Sequence, residues 1–257
     1  MKTIWARALA SVLLALASVG LAQAAAVNAY LSAANPPFND FSNEVAMTAA
    51  FGTDWDRLQY GDAFGSYSML YIDGFGDTAA EMVSFLDSNR SALEAYVLGG
   101  GRLFINAATE GQTLVDLVFG ARLNEESIGA RGNTGIAVDT GSQLFAGAGT
   151  SWDGFFFSHD DIQLADGYNA LIVDDFGRTV LAGGFFGSGY VMLGGQTNTS
   201  YQVGVGGSDP FQLRVNELLY AAQITQPATG DVPEPGSLAL VLLAGAALGL
   251  RPRARRA

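Results

Sequence analysis

Leu93-Glu94-Ala95-Tyr96-Val97-Leu98-Gly99-Gly100-Gly101-Arg102-Leu103-Phe104-Ile105 carries a helical pattern into a strand pattern across three glycines. Glycine tolerates left-handed φ, so the triplet stops the helix and turns the chain. The run Leu103-Phe104-Ile105 has no polar alternation, as expected of a strand buried on both faces. Upstream, Thr78-x-x-Glu81 and Ser91-x-x-Glu94 match capping boxes, in which a hydroxyl and a carboxylate satisfy orphan amides at a helix start. They predict two short helices, 79–88 and 92–98.

The same logic extends outward. Val27 to Ser32 reads as a strand ended by Asn35-Pro36-Pro37, and Asn43 to Phe51 as a helix with Ser42 as cap and Gly52 past its end. Trp55 to Tyr60 and the apolar run Tyr67 to Ile72 read as strands. Gln112 to Phe119 reads as a helix closed by Gly120. Beyond it, Ile136 to Val138, Phe155 to Ser158, Ala170 to Val173, Val180 to Ala182 and Tyr190 to Leu193 are short strands between Gly and Asp turns. Phe211, Val215, Leu218, Leu219 and Ala222 recur at helical spacing, placing a last helix over 211–223. This order predicts an α/β fold: a three-layer, mainly parallel sheet with Arg102 to Ile105 central, helices on both faces and extra short strands in the second half.

The helix–Gly-Gly–strand unit at 93–105, with Gly189-Tyr190-Val191-Met192-Leu193-Gly194 and the Asn216-Glu217-Leu218-Leu219 helix, resembles class I glutamine-amidotransferase-like domains, a flavodoxin-like architecture. The resemblance spans most of residues 27–225. It implies a nucleophilic cysteine on the turn after the central strand and a His and a Glu after a late strand. The chain departs at all three places. The turn reads Asn106-Ala107-Ala108-Thr109-Glu110, the late strand runs into Gly194-Gly195-Gln196-Thr197, and there is no cysteine. Attack on an amide carbonyl needs the thiolate and its base, so glutaminase chemistry is excluded and the resemblance implies a non-catalytic relative.

Other chemistry is thin. His159 is the only histidine; within Ser158-His159-Asp160-Asp161 contiguous side chains alternate in direction and cannot relay a proton among themselves. One histidine and no cysteine make a zinc site unsupported. Asp160-Asp161, Asp166 and Asp174-Asp175 are acidic but match no calcium loop. Trp152, Phe155, Phe156 and Phe157, and Phe185-Phe186, are core aromatics or a sugar-stacking surface. No catalytic, cofactor or metal residue is assigned. Ligands of open α/β sheets sit beyond the carboxyl ends of parallel strands, which here places Asn35, Asp73, Asn106, Thr109 and Glu110 on a rim. Those residues either bind a polar ligand or cap helices and close turns.

The two ends concern destination. Lys2 and Arg7, the apolar stretch 8–21 and the small-residue sites Ala22-Gln23-Ala24 and Ala24-Ala25-Ala26 have the anatomy of a signal peptide, residues 1–26, cut by signal peptidase. After the domain 27–225 and a linker 226–231 comes a tail, 232–257. In it Pro233-Glu234-Pro235 precedes the uncharged stretch 236–250 and then Arg251, Arg253, Arg255 and Arg256. The prolines prevent a helix from starting before Gly236. As a helix 236–250 spans about 22 Å, short of a ~30 Å hydrocarbon core but able to cross a thinned bilayer as a transmembrane segment, arginines inside. The three parts in this order resemble the PEP-CTERM sorting tail. That resemblance implies an exosortase-type processing enzyme as partner, a transient tether to the inner membrane, and release at the cell surface or into extracellular polysaccharide.

Of the 13 basic and 25 acidic residues, seven arginines and 23 carboxylates lie in the domain 27–225, a charge near −16. Such a domain repels nucleic acid and anionic lipid. Without cysteine it relies on its core rather than on disulfides. The sequence thus predicts an exported, surface-sorted, non-enzymatic protein of the envelope or polysaccharide matrix, with an extracellular hydrolase working through unidentified carboxylates as the alternative.

Overall fold

The computed structural model describes residues 27–109, 111, 114–125, 132–154 and 157–226. The signal peptide, Glu110, Phe155, Phe156 and the tail with its motif lie outside them. The chain divides between Ile224 and Thr225, and the fold concerns the first unit.

Among the described residues the strands are β1 (Asn28–Ser32), β2 (Trp55–Gln59), β3 (Met69–Phe75), β4 (Arg102–Ala108), β5 (Leu114–Asp116), β6 (Arg122–Glu125), β7 (Thr134–Ala137), β8 (Ser151–Gly154), β9 (Asp160–Gln163), β10 (Asn169–Asp174), β11 (Thr179–Phe186), β12 (Gly189–Gly194) and β13 (Gln202–Gly204). The helices are α1 (Ser42–Phe51), α2 (Ala79–Leu98) and α3 (Pro210–Gln223). Ten strands form one sheet in the order β13-β8-β7-β10-β11-β12-β4-β3-β1-β2, and β5-β6-β9 form a second.

The predicted three-layer, mainly parallel sheet is not what forms. The large sheet is mixed. Its parallel pairings join β2, β1, β3, β4 and β12. Every pairing from β12 through β11, β10, β7 and β8 to β13 is antiparallel. The physical reason lies in the connections. Gly187 (φ 58°) and Ser188 alone join β11 to β12, and a two-residue loop can only return the chain antiparallel. Between β10 and β11, the carboxylate of Asp174 accepts the amides of Phe176 at 2.9 Å and Arg178 at 2.8 Å and closes another tight turn.

Helix boundaries also depart from expectation. The two short helices at 79–88 and 92–98 are one helix, α2, because Ser91 sits in its interior and nothing interrupts the backbone ladder. Thr78 does not cap it by the expected box; its hydroxyl bonds the backbone of Phe75. The helix expected at 112–119 is replaced by β5 and a 3-10 turn ending at Gly120 (φ 78°). Asp209 caps α3, accepting from the amides of Phe211 at 2.9 Å and Gln212 at 3.1 Å. Among the described residues no helix is long and apolar enough to cross a membrane. The expected transmembrane segment, 236–250, lies outside them, and that expectation is withdrawn.

Two apolar clusters pack on the two faces of the parallel half and run on into the antiparallel strands. Tyr30, Tyr71, Phe104 and Met192 share one register row, and α1 and α3 cover them. The intervening row Leu31, Ile72, Ile105 and Leu193 faces the other way, toward α2 and the small sheet. Tyr30 stacks on Tyr71 at 5.1 Å and Tyr71 on Phe104 at 4.9 Å between ring centroids. Such stacked pairs add roughly 0.5–1.5 kcal/mol each beyond area burial.

Gly189 opens β12 where the end of α2 crosses. A Cβ there would come within 2.1 Å of the Val97 carbonyl and 2.4 Å of the Gly101 carbonyl, both rigid backbone. Gly189→Ala is therefore expected to lower unfolding free energy by about 2 kcal/mol or more, measured by urea denaturation; an unchanged midpoint would show that the helix end can shift freely.

Candidate functional site

Two residues on from the aromatic row, the same sheet face turns polar. Asp73 pairs in register with Asn106, and Asn106 with Gly194. Alternation along parallel strands thus brings two predicted rim residues together at the carboxyl ends, under α1 and α3. Thr109 directly follows the end of β4 nearby. Asp73, Asn106 and Thr109 are fully buried. Asn35 is exposed and does not join them. Glu110 is not described.

Three bonded groups fill the rim. In the first, Asp73 Oδ2 accepts from the Tyr30 hydroxyl and, at 2.8 Å, from Asn43 Nδ2 on α1. Tyr60 donates its hydroxyl to the Asp73 backbone carbonyl. Burial pushes the Asp73 carboxyl up to about 6, opposed by Ser32, Tyr30, Asn43 and the Arg57 charge. In the second, Asn106 and the Gln196 backbone bond reciprocally, at 3.1 Å to the carbonyl and 3.2 Å from the amide. Gln196 Nε2 donates to Glu217 Oε1 at 2.9 Å, and Glu217 Oε2 pairs with Arg214 Nη1 at 2.9 Å. The Arg214 guanidinium lies 5.4 Å from the Phe104 ring centroid and 5.8 Å from that of Tyr71. Burial works to lower the Arg214 pKa, but Glu217 foremost outweighs it and holds the side chain charged. In the third, Asp160 Oδ2 accepts from the Thr109 amide at 2.7 Å and its hydroxyl at 2.6 Å.

Glycines make these approaches possible. A Cβ on Gly194 would lie 2.1 Å from Asn106 Oδ1, and one on Gly195 would lie 2.1 Å from the Asp160 carbonyl. The sequence shows Gly194-Gly195-Gln196 plainly, yet read alone it signals only a missing catalytic His. It gives no hint of Tyr30, Asn43, Gln196, Arg214 or Glu217 as partners, because they come from distant segments. His159 is buried, and its amide bonds the Gly195 carbonyl at 3.1 Å. Trp152 and Phe157 belong to the core, as do the partly buried Phe185 and Phe186 at its edges. Asp161 accepts from Asn124 at 2.8 Å, and Asp174 pairs with Arg178 at 2.6 Å.

Chemically this is a closed arrangement. A threonine hydroxyl on a carboxylate has the form of an activated nucleophile. Here both groups are fully buried, and the same carboxylate oxygen is also bonded to a backbone amide. Elsewhere at the rim, among the described residues, the amides, carboxylates and guanidinium bond one another, while Asn43 Oδ1, Asp73 Oδ1, Gln196 Oε1 and Arg214 Nε are buried without a hydrogen-bond partner.

No family model matches the chain, and no curated protein does. Solved structures are similar in fold. A Thermoplasma acidophilum protein described as part of a GMP synthase is 11% identical at a TM-score of 0.51, covering 77% of this chain and 94% of that one. A β-galactosidase from Rahnella sp. is 16% identical at a TM-score of 0.50, covering 76% of this chain but only 30% of the galactosidase. The chain therefore spans under a third of the galactosidase's length. Likeness at these identities shows fold alone.

Two outcomes follow for the rim. Glu217→Ala leaves Arg214 buried without its counter-charge and is expected to cost about 3–5 kcal/mol of stability. Arg214→Met combined with Glu217→Leu, which removes both charges, should cost clearly less; equal losses would show that the pair is not coupled. Asp73 sets a pH dependence. Its folded pKa, about 6, lies above the ordinary 3.8, so between those values the folded state holds more protons. The stability it contributes is full below the lower value and is lost as pH rises through the upper one. Asp73→Asn should therefore gain on the wild type by about 3 kcal/mol between pH 3.5 and pH 7, read from denaturation at each pH; a constant difference would contradict it.

Proposed function

We propose that the protein is exported by its N-terminal segment, sorted through its Pro233-Glu234-Pro235 and arginine tail, and acts without catalysis in the cell envelope or extracellular polysaccharide matrix, where it binds a polar ligand. The observation that carries the non-catalytic part is the bonded chain Asn106–Gln196–Glu217–Arg214, which occupies the carboxyl end of the parallel strands with fully buried side chains. The absence of cysteine from the whole sequence supports it further. The sorting part is supported by the order of motif, uncharged stretch and arginines. The acidic character of the domain suits a protein that stays dispersed among neutral polymers and away from nucleic acid and anionic lipid.

Two measurements test the reading. In a host with the processing enzyme, replacing Pro233, Glu234 and Pro235 by alanine should leave export intact and keep the tail on, seen by intact mass; a variant shortened to the wild-type mass contradicts the sorting assignment. The purified wild-type protein should release neither ammonia from glutamine nor soluble oligosaccharide from polysaccharide. Release abolished by a single Asp or Glu substitution would replace this reading by that of a hydrolase.

A further inference from the structure

The opposite end of the parallel strands is open. A cleft of about 790 Å³ lies before the starts of β3 and β4, against the last turns of α2. That is within the usual range for a small-ligand site, roughly 300–1,000 Å³. None of the residues lining it carries a charge, although the whole chain has a net charge of −12. Its walls combine three aromatic rings, Phe64, Tyr67 and Tyr96, with the hydroxyl residues Ser66 and Ser68. Gly99, Gly100 and Gly101 form one edge, their amides already donating to the carbonyls of Ala95, Val97 and Tyr96.

The rings are held before any ligand arrives. Phe64 stands edge-on to Tyr96 at 6.2 Å and to Phe85 at 6.0 Å. Tyr96 donates to the Arg102 carbonyl at 3.1 Å, and its ring lies so close to Gly101 that a Cβ there would come within 2.4 Å of it. Tyr67 is tied to Asp56 Oδ2 at 3.1 Å through its hydroxyl. Fixed side chains lose little entropy on binding, which favours affinity.

The geometry points to this cleft as a binding site for a neutral pyranose, taken as part of an oligosaccharide. The C–H face of a pyranose ring bears partial positive charge and stacks on the negative face of an aromatic ring. Its hydroxyls exchange hydrogen bonds with the serine hydroxyls of the lining. An uncharged lining offers no counter-charge to a carboxylate or phosphate, and the acidic surroundings repel both. The inference deepens the ligand-binding part of the function proposed above and moves the ligand away from the carboxyl rim. It is tested separately from sorting and catalysis: a sorted, inert protein that ignores sugars would sink this inference alone.

The test uses the full purified chain with methyl glucopyranoside, methyl galactopyranoside, methyl mannopyranoside and cellotetraose, followed by ring-proton NMR and calorimetry. At least one neutral sugar should shift the resonances of Phe64, Tyr67 and Tyr96. Tyr67→Ala should weaken that binding by about tenfold or more. Ala92→Glu, on the exposed helical wall, should weaken it as much while leaving the melting temperature unchanged, since glutamate is a good helix former. Tetragalacturonate should bind more weakly than cellotetraose. If none of these neutral sugars perturbs the three rings, or if Ala92→Glu binds as tightly as wild type, the inference is overturned; should Tyr67→Ala fail to fold, Ala92→Glu decides.

Discussion

Arg214 and Glu217 form an ion pair with both side chains fully buried, against the faces of Tyr71 and Phe104. Taking two charges out of water costs several kcal/mol each, and mutual attraction offsets that only when the remaining donors and acceptors are engaged. Here part of the offset comes from outside α3, while Arg214 Nε and Gln196 Oε1 are buried without a hydrogen-bond partner. Gln196 donates to Glu217, Asn106 holds the Gln196 backbone, and Gly194 leaves room for Asn106. The final helix is thereby seated on β4 and β12, over the described residues at the carboxyl end of the sheet. The aromatic row beneath it and the Asp73 group beside it rest on the same seating.

This seating bears on where a fold of this shape can hold a ligand. In an open sheet the carboxyl ends of parallel strands normally face a crevice. In this chain their polar side chains turn to each other. An open concavity lies at the amino ends, where the chain before β3 and the glycines before β4 leave aromatic rings partly uncovered.

The parallel half is legible in the sequence because its signals are local. Continuous apolar runs at 69–72 and 103–105 and the glycine triplet state their own structure. The antiparallel half is written as clearly, in Gly187-Ser188 and the Asp174–Gly177 turn, yet a parallel plan extended from the first half gives these short hairpin loops no weight. The capping-box pattern at Ser91 misleads because a serine inside a long helix costs only a fraction of a kcal/mol, too little to break α2 once its apolar face is buried. Asp73, Asn106 and Thr109 do lie at the carboxyl ends, as the strand pattern predicts, but their burial is not foreseeable. It depends on Arg214 and Gln196, roughly 90 or more residues away from Asn106 along the chain, and no local pattern encodes such a pairing.

Asn106, Gln196, Glu217 and Arg214 act as one structural unit, and the closed rim depends on it. A double-mutant cycle measures this most directly, with Asn106→Ala, Glu217→Gln and the double variant unfolded in urea. Coupling through Gln196 should appear as an interaction energy of about 1 kcal/mol between two residues that do not bond each other. Strict additivity would contradict it, leaving the rim as separate polar groups free to serve a ligand.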